Sequence, residues 1–92
     1  MNARVFRTTP QFRRALRKLS SAQKRTATAA FEIFKQNPFD ARLRTHKIHR
    51  LSGIMKRTIY AVEVEADLRA VFYLEGDTVI SFNIGTHAIY SE

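Results

Sequence analysis

The stretch Thr58-Ile-Tyr-Ala-Val-Glu-Val-Glu-Ala-Asp-Leu-Arg-Ala-Val-Phe-Tyr-Leu-Glu-Gly-Asp-Thr-Val-Ile-Ser-Phe-Asn-Ile84 decides the fold. Apolar and polar residues alternate through three segments, near 58–64, 68–75 and 78–84, and a period of two is the mark of strands. Glu65-Ala-Asp67 and Glu75-Gly-Asp77 interrupt the alternation with turn residues, which predicts an antiparallel meander. One parity is apolar throughout (Tyr60, Val62, Val64; Leu68, Ala70, Phe72, Leu74; Ile80, Phe82, Ile84) and predicts the face that meets other elements. The other parity mixes Ile59, Ala61, Val71, Tyr73 and Val79 with Glu63, Arg69, Ser81 and Asn83, and predicts an open face from which Arg69 projects.

Upstream, residues 4–8 alternate as a short first strand. Thr8 or Thr9 offers an N-cap with Pro10 at the first helical position. Phe12, Leu16 and Leu19 then form one stripe of a helix near 10–19. Ser20 or Ser21 caps a second helix carrying Ala27, Ala30, Phe31 and Phe34 at the same spacing, and Asn37-Pro38 ends it. From Phe39 to Gly53 the chain is basic and reads as irregular, with no helix expected over Thr45 to Ser52. The expected architecture is α+β, in the order β-α-α-β-β-β: an antiparallel sheet with a two-helix hairpin on one face, as one domain over residues 1–92.

The chain has 92 residues, 16 of them Lys or Arg and 8 Asp or Glu, for a formal net charge of +8. Hydrophobic residues make up 45%, which supports a packed core and argues against disorder. With no cysteine, disulfides, thiolate zinc sites and cysteine nucleophiles are excluded, and a reducing cytoplasm is the expected compartment. The first residues lack the apolar segment of a signal peptide, and no run approaches the ~18 residues of a membrane span. Charge is unevenly placed. Residues 1–57 hold fifteen basic and two acidic residues, a net +13, whereas residues 58–92 hold one basic and six acidic, a net −5. The first part predicts a surface that faces a polyanion. Arg69, the lone cation of the second part, needs its own explanation.

No Gly-rich phosphate loop, serine nucleophile elbow or calcium loop is present, which argues against the nucleotide enzymes and hydrolases that use them. His46 and His49 are read as solvent-facing loop residues rather than half of a metal site, and neither metal nor cofactor is expected. Metal-free RNA cleavage remains open, because the ribose 2′-OH supplies the nucleophile. The protein then needs a base, an acid and a cation for the phosphate. His46, Asp67, Arg69 and His87 are residue types suited to those tasks. Arg69 could equally form a salt bridge to Glu63 or Asp67, and His87 could be an ordinary surface residue. The like-charged pairs Arg13/Arg17 and Arg14/Lys18 are either a solvated helix face or a phosphate-binding one.

Phe39-Asp-Ala-Arg-Leu-Arg-Thr-His-Lys-Ile-His-Arg-Leu-Ser-Gly53 resembles the loop before the sheet in toxins of the RelE/ParE superfamily. Val62-Glu-Val-Glu-Ala-Asp-Leu-Arg-Ala-Val-Phe-Tyr73 is similar to their central strands, and Ile84-Gly-Thr-His-Ala-Ile-Tyr90 to the ending of the RelE and YafQ-like branches. The resemblance implies a ribosome-dependent mRNA endonuclease of the cytoplasm, neutralised by a cognate antitoxin and meeting operator DNA only through the antitoxin complex. It implies that Arg69 holds the scissile phosphate, that His87 is the general acid and that His46 or Asp67 helps activate the 2′-OH. Arg44, Lys47, Arg13 and Arg17 would bind the backbone of mRNA and rRNA, and Tyr90 would stack on a base. Glu63 stands where YafQ-like toxins would carry a further histidine, Leu68 where they would carry a tryptophan, and Asn83 where an arginine is common. The ParE branch implies instead a non-enzymatic gyrase inhibitor, and a degenerate toxin would only bind its antitoxin; Gly85-Thr86-His87 favours the nuclease.

Overall fold

Four buried residues of one strand, Leu68, Ala70, Val71 and Phe72, include both parities, so this strand is covered on both faces. It is β4 (Leu68–Glu75) of a computed structural model that describes residues 4–90. The other elements are β1 (Val5–Thr8), α1 (Pro10–Arg17), α2 (Ser21–Gln36), β2 (His46–Lys47), α3 (His49–Met55), β3 (Tyr60–Glu65) and β5 (Thr78–Gly85). Short 3₁₀ turns span Ala41–Leu43 and His87–Ile89. Among these elements no helix is long and apolar enough to cross a membrane.

The helices begin where their caps dictate. The Thr9 hydroxyl accepts the Phe12 N–H at 3.1 Å, with Pro10 in the first turn. Ser20 and Gln23 form a reciprocal capping box at the start of α2. The hairpin lies on one sheet face, where Phe12, Ala27, Ala30 and Phe34 join Val62, Leu68, Ala70, Phe72, Val79 and Ile84 in the main core. Phe72 is its hub. Its ring lies 5.0 Å from Phe34, 5.3 Å from Tyr60 and 5.9 Å from Phe39, centroid to centroid.

The sheet runs β1-β5-β4-β3-β2. The meander β3-β4-β5 pairs antiparallel, as the alternation predicts; His46–Lys47, read from the sequence as part of an irregular segment, adds an antiparallel edge strand, and β1 lies parallel to β5, so the sheet is mixed. A β-bulge alters the expected faces of β5. Asn83 pairs with Val71 and Ser81 with Phe72, leaving Phe82 as the extra residue. Beyond it the parity reverses: Val79 and Ser81 turn to the helices, whereas Ile80 and Phe82 turn away.

The face expected to be open carries a second, smaller core of Ile48, Ile59, Ala61 and Val71, flanked by Leu51, Tyr73, Phe82, Ile89 and Tyr90. The segment read as irregular supplies its cover, because α3 occupies part of Thr45 to Ser52. Helix α3 is weak in sequence, with Gly53 inside it and no side-chain cap. Docking holds it: the Ser52 hydroxyl accepts the Ile59 N–H at 2.8 Å, and Ile48 N–H donates to Ile59 O at 2.8 Å. Phe72→Ala should destabilise the protein by about 3–5 kcal/mol, read from urea unfolding midpoints at unchanged slope.

Candidate functional site

Cross-strand pairing fixes the site before any side chain is considered. Arg69 pairs with Glu63 of β3 and with Gly85 of β5 at one level of the sheet. One level away, His46 pairs with Ala61, Ala61 with Val71, and Val71 with Asn83. Paired residues share a face, as do residues two apart, so His46, Glu63, Arg69 and Asn83 all face away from α1 and α2. Continuing the antiparallel register from Arg69 and Gly85 by two residues brings Asp67 opposite His87. The two side chains meet there, with His87 Nδ1 at 3.0 Å from Asp67 Oδ1.

An ionised carboxylate only accepts, so the His87 Nδ1–H donates to it and Nε2 is directed elsewhere. This hydrogen bond is the main cause that holds the Asp67 carboxyl below the usual carboxylate range, with Arg69 adding a smaller attraction. Gly85 and Thr86 give His87 its position. A Cβ on Gly85 would lie 2.8 Å from Ile89 Cγ2, so the 3₁₀ turn folds back only over glycine. Thr86 caps that turn by accepting the Ala88 N–H at 3.3 Å.

Arg69 is half-buried and makes neither of the salt bridges that its neighbours offered. Its Nη1 donates to the carbonyls of Glu65 at 2.8 Å and Ala66 at 3.0 Å, closing the β3–β4 turn. Nε is buried without a partner, and no hydrogen bond engages Nη2 among the described residues. Nη2 is therefore the guanidinium nitrogen left to meet an anion, with Nε beneath it on the same edge. Before the edge strand, Arg44 ends the 3₁₀ turn in the left-handed region at φ 50°, and its carbonyl accepts the His46 Nδ1–H at 2.9 Å. His46 Nε2 is thereby left for solvent or a ligand.

The remaining expected residues are divided between the two sides. Tyr90 packs against the second core, on the face of Arg69. Lys47 pairs with Tyr60, which belongs to the helix-side core, so its side chain leaves the edge strand toward the other face. Arg13 and Arg17 lie on α1 in the helix layer, and Arg13 is engaged by Thr8 through its carbonyl at 2.8 Å and its hydroxyl at 2.9 Å. Glu63 and Asn83, outside the residues the sequence singles out for chemistry, share the face of Arg69, as their common parity with it indicates. No group of three His, Asp or Glu side chains is gathered to hold a metal ion among the described residues. The apolar grooves at Phe6, Phe12, Phe31 and Phe34 and at Leu16, Ala27 and Phe31 lie on the helix side, away from His87.

No protein-family model and no curated protein matches the sequence. Solved structures do match its fold. RelE in the RelE–RelB complex of Pyrococcus horikoshii OT3 aligns over 91% of this chain and 94% of that chain, with a TM-score of 0.70 and 13% identity. YafQ of E. coli strain BL21(DE3) aligns over 97% and 99%, with a TM-score of 0.70 and 19% identity. YafQ in the E. coli DinJ–YafQ toxin–antitoxin complex aligns over 98% and 99%, with a TM-score of 0.69 and 18% identity. The chain therefore has the fold of the RelE and YafQ toxins, as the sequence resemblance predicted.

Because His87 lowers the Asp67 pKa, His87→Ala should raise the Asp67 midpoint toward the ordinary carboxylate range, measured by carboxyl-carbon NMR. The sign follows from linkage: the contact stabilises the fold above the unfolded carboxyl value and is lost as pH falls through the depressed one. An unmoved midpoint in the variant would show that the two side chains do not interact in solution.

Proposed function

We propose that this chain is the toxin of a type II toxin–antitoxin module and that it cleaves mRNA on the ribosome. The observation that carries the reading is the Asp67–His87 hydrogen bond beside an arginine whose Nε is buried and unpaired. In this reaction the 2′-OH attacks the adjacent phosphorus, the bond to the 5′ oxygen breaks, and a 2′,3′-cyclic phosphate and a 5′-OH result. Arg69 stabilises the charge that accumulates on the phosphoryl oxygens. Protonated His87 gives the proton from Nε2 to the departing 5′ oxygen, and Asp67 holds the imidazole by Nδ1. His46 faces the same substrate from the edge strand, and Tyr90 offers a ring for a base.

Lys47 on the edge strand and Arg44 just before it, with Arg13 and Arg17 on the helix layer, are assigned to mRNA and rRNA backbone. Their wide spacing suits a ribosome, which can surround the protein, better than a free strand on one face. The fold shared with RelE and YafQ, both solved with RelB or DinJ, supports a cognate antitoxin as the partner. Operator DNA would be met only through that complex, and the compartment is the cytoplasm.

Primer extension on translating ribosomes tests the reading. Wild-type protein should produce mapped cuts, and His87→Ala or Arg69→Ala should each slow them by about 10²–10⁴-fold. Intact message with DNA damage on expression would instead identify a gyrase inhibitor.

A further inference from the structure

The cleavage reading leaves one proton unassigned, that of the attacking 2′-OH, and the sheet face holds a carboxylate with no other task. Glu63 is half-buried, and it makes no hydrogen bond or ion pair among the described residues. It stands directly opposite Arg69 in the β3–β4 pairing. Cβ atoms of such pairs lie about 4.5–5.5 Å apart, close enough for an ion pair. None forms, because Arg69 Nη1 is drawn aside to the carbonyls of Glu65 and Ala66.

The other two bases are less well placed. The Asp67 carboxylate is taken by His87. His46 lies on β2, two strands from β4, and strands are spaced about 4.7–4.9 Å apart. Glu63 is one strand from Arg69 on the β3 side, while His87 lies beyond Gly85 on the β5 side. A phosphate held by Arg69 would thus have a carboxylate on one flank and an imidazole on the other. In-line displacement needs that arrangement, since the entering and departing oxygens occupy opposite sides of phosphorus.

We infer that Glu63 is the general base of the cleavage reaction. This rests on the nuclease reading and extends it. Glu63 takes the 2′-OH proton as the P–O2′ bond forms, and His87 gives a proton to the 5′ oxygen as the P–O5′ bond breaks. One carboxylate is protonated and one imidazolium deprotonated per cut, and exchange with water restores both. His46 then serves to hold the substrate, not to remove the proton.

Two messages with one mapped cut site, programmed into translating ribosomes, test the assignment. One has an ordinary phosphodiester, and the other a sulfur in place of the 5′ bridging oxygen. Sulfur leaves without a proton, so it relieves the need for the acid and not for the base. In single-turnover cleavage Glu63→Gln should lose about 10²–10⁴-fold on the ordinary message. The sulfur message should restore His87→Ala to near wild-type rates and leave Glu63→Gln slow. Unchanged thermal melting of Glu63→Gln would exclude misfolding as the cause. Undiminished cutting by Glu63→Gln, its rescue by sulfur, or an unrescued loss in His46→Ala alone would each overturn the inference while the nuclease reading stands. No cutting by the wild type would remove both.

Discussion

Arg69 of β4 stands between Glu63 of β3 and Gly85 of β5 in the register of the sheet, and the rest of the site depends on that pairing. Extending the register two residues toward the β3–β4 turn sets Asp67 against His87, across twenty residues of sequence. Extending it two residues the other way sets Val71 beside Ala61 and Asn83, and through Ala61 reaches His46 on the edge strand. A slip of one residue would send each of these side chains to the opposite face. The register is held by burial: Leu68, Ala70 and Phe72 must face the helices, and Val71 the second core.

The two faces carry unequal burdens. A chain of this length buries about 60–65% of its unfolded surface, which leaves room for one well-packed core. The helix side supplies it with a nearly continuous set of aromatic contacts from Phe6 through Phe34 to Phe72. The opposite face needs only partial cover from α3 and the 3₁₀ turn at His87–Ile89. A polar strip therefore persists there without exposing the main core. Helix α3 and β2 also bring His46 to that strip, so a segment with little regular structure of its own gains shape from the sheet it covers.

Alternation made β3 and β4 legible, because there the period of two runs almost unbroken. In β5 the same pattern predicts the strand and the faces of Asn83 and Ile84, but not those of Val79 to Phe82. A bulge at Phe82 leaves no mark in a sequence where Val79, Ile80, Phe82 and Ile84 are all apolar. Helix α3 was missed because Gly53 and an uncapped start give it poor local preference, and tertiary docking through Ile48, Leu51 and Ser52 overrides that. The parallel pairing of β1 is a long-range choice that no local pattern encodes. The family resemblance singles out Asp67, Arg69 and His87, and the structure brings the Asp67 and His87 side chains into contact. What could not be read was the way Arg69 turns, since that is set by the carbonyls of the β3–β4 turn.

Folding alone gives little reason for these polar groups. An unpartnered buried donor such as Arg69 Nε costs about 1–3 kcal/mol, a sizeable part of the 5–15 kcal/mol that stabilises a typical domain. The Asp67–His87 pair is 63% and 64% exposed, and water weakens what such a contact can contribute. Opposite charges placed directly across a sheet stabilise it when they touch, yet Glu63 and Arg69 are held apart. A surface shaped only for stability would let Arg69 close on Glu63, satisfying both the cation and the carboxylate. Keeping them separate leaves the Glu63 carboxylate and the Arg69 Nη2 without partners among the described residues, next to an oriented imidazole. On the proposed reading the phosphate and the 2′-OH of bound RNA supply the partners that the folded chain withholds.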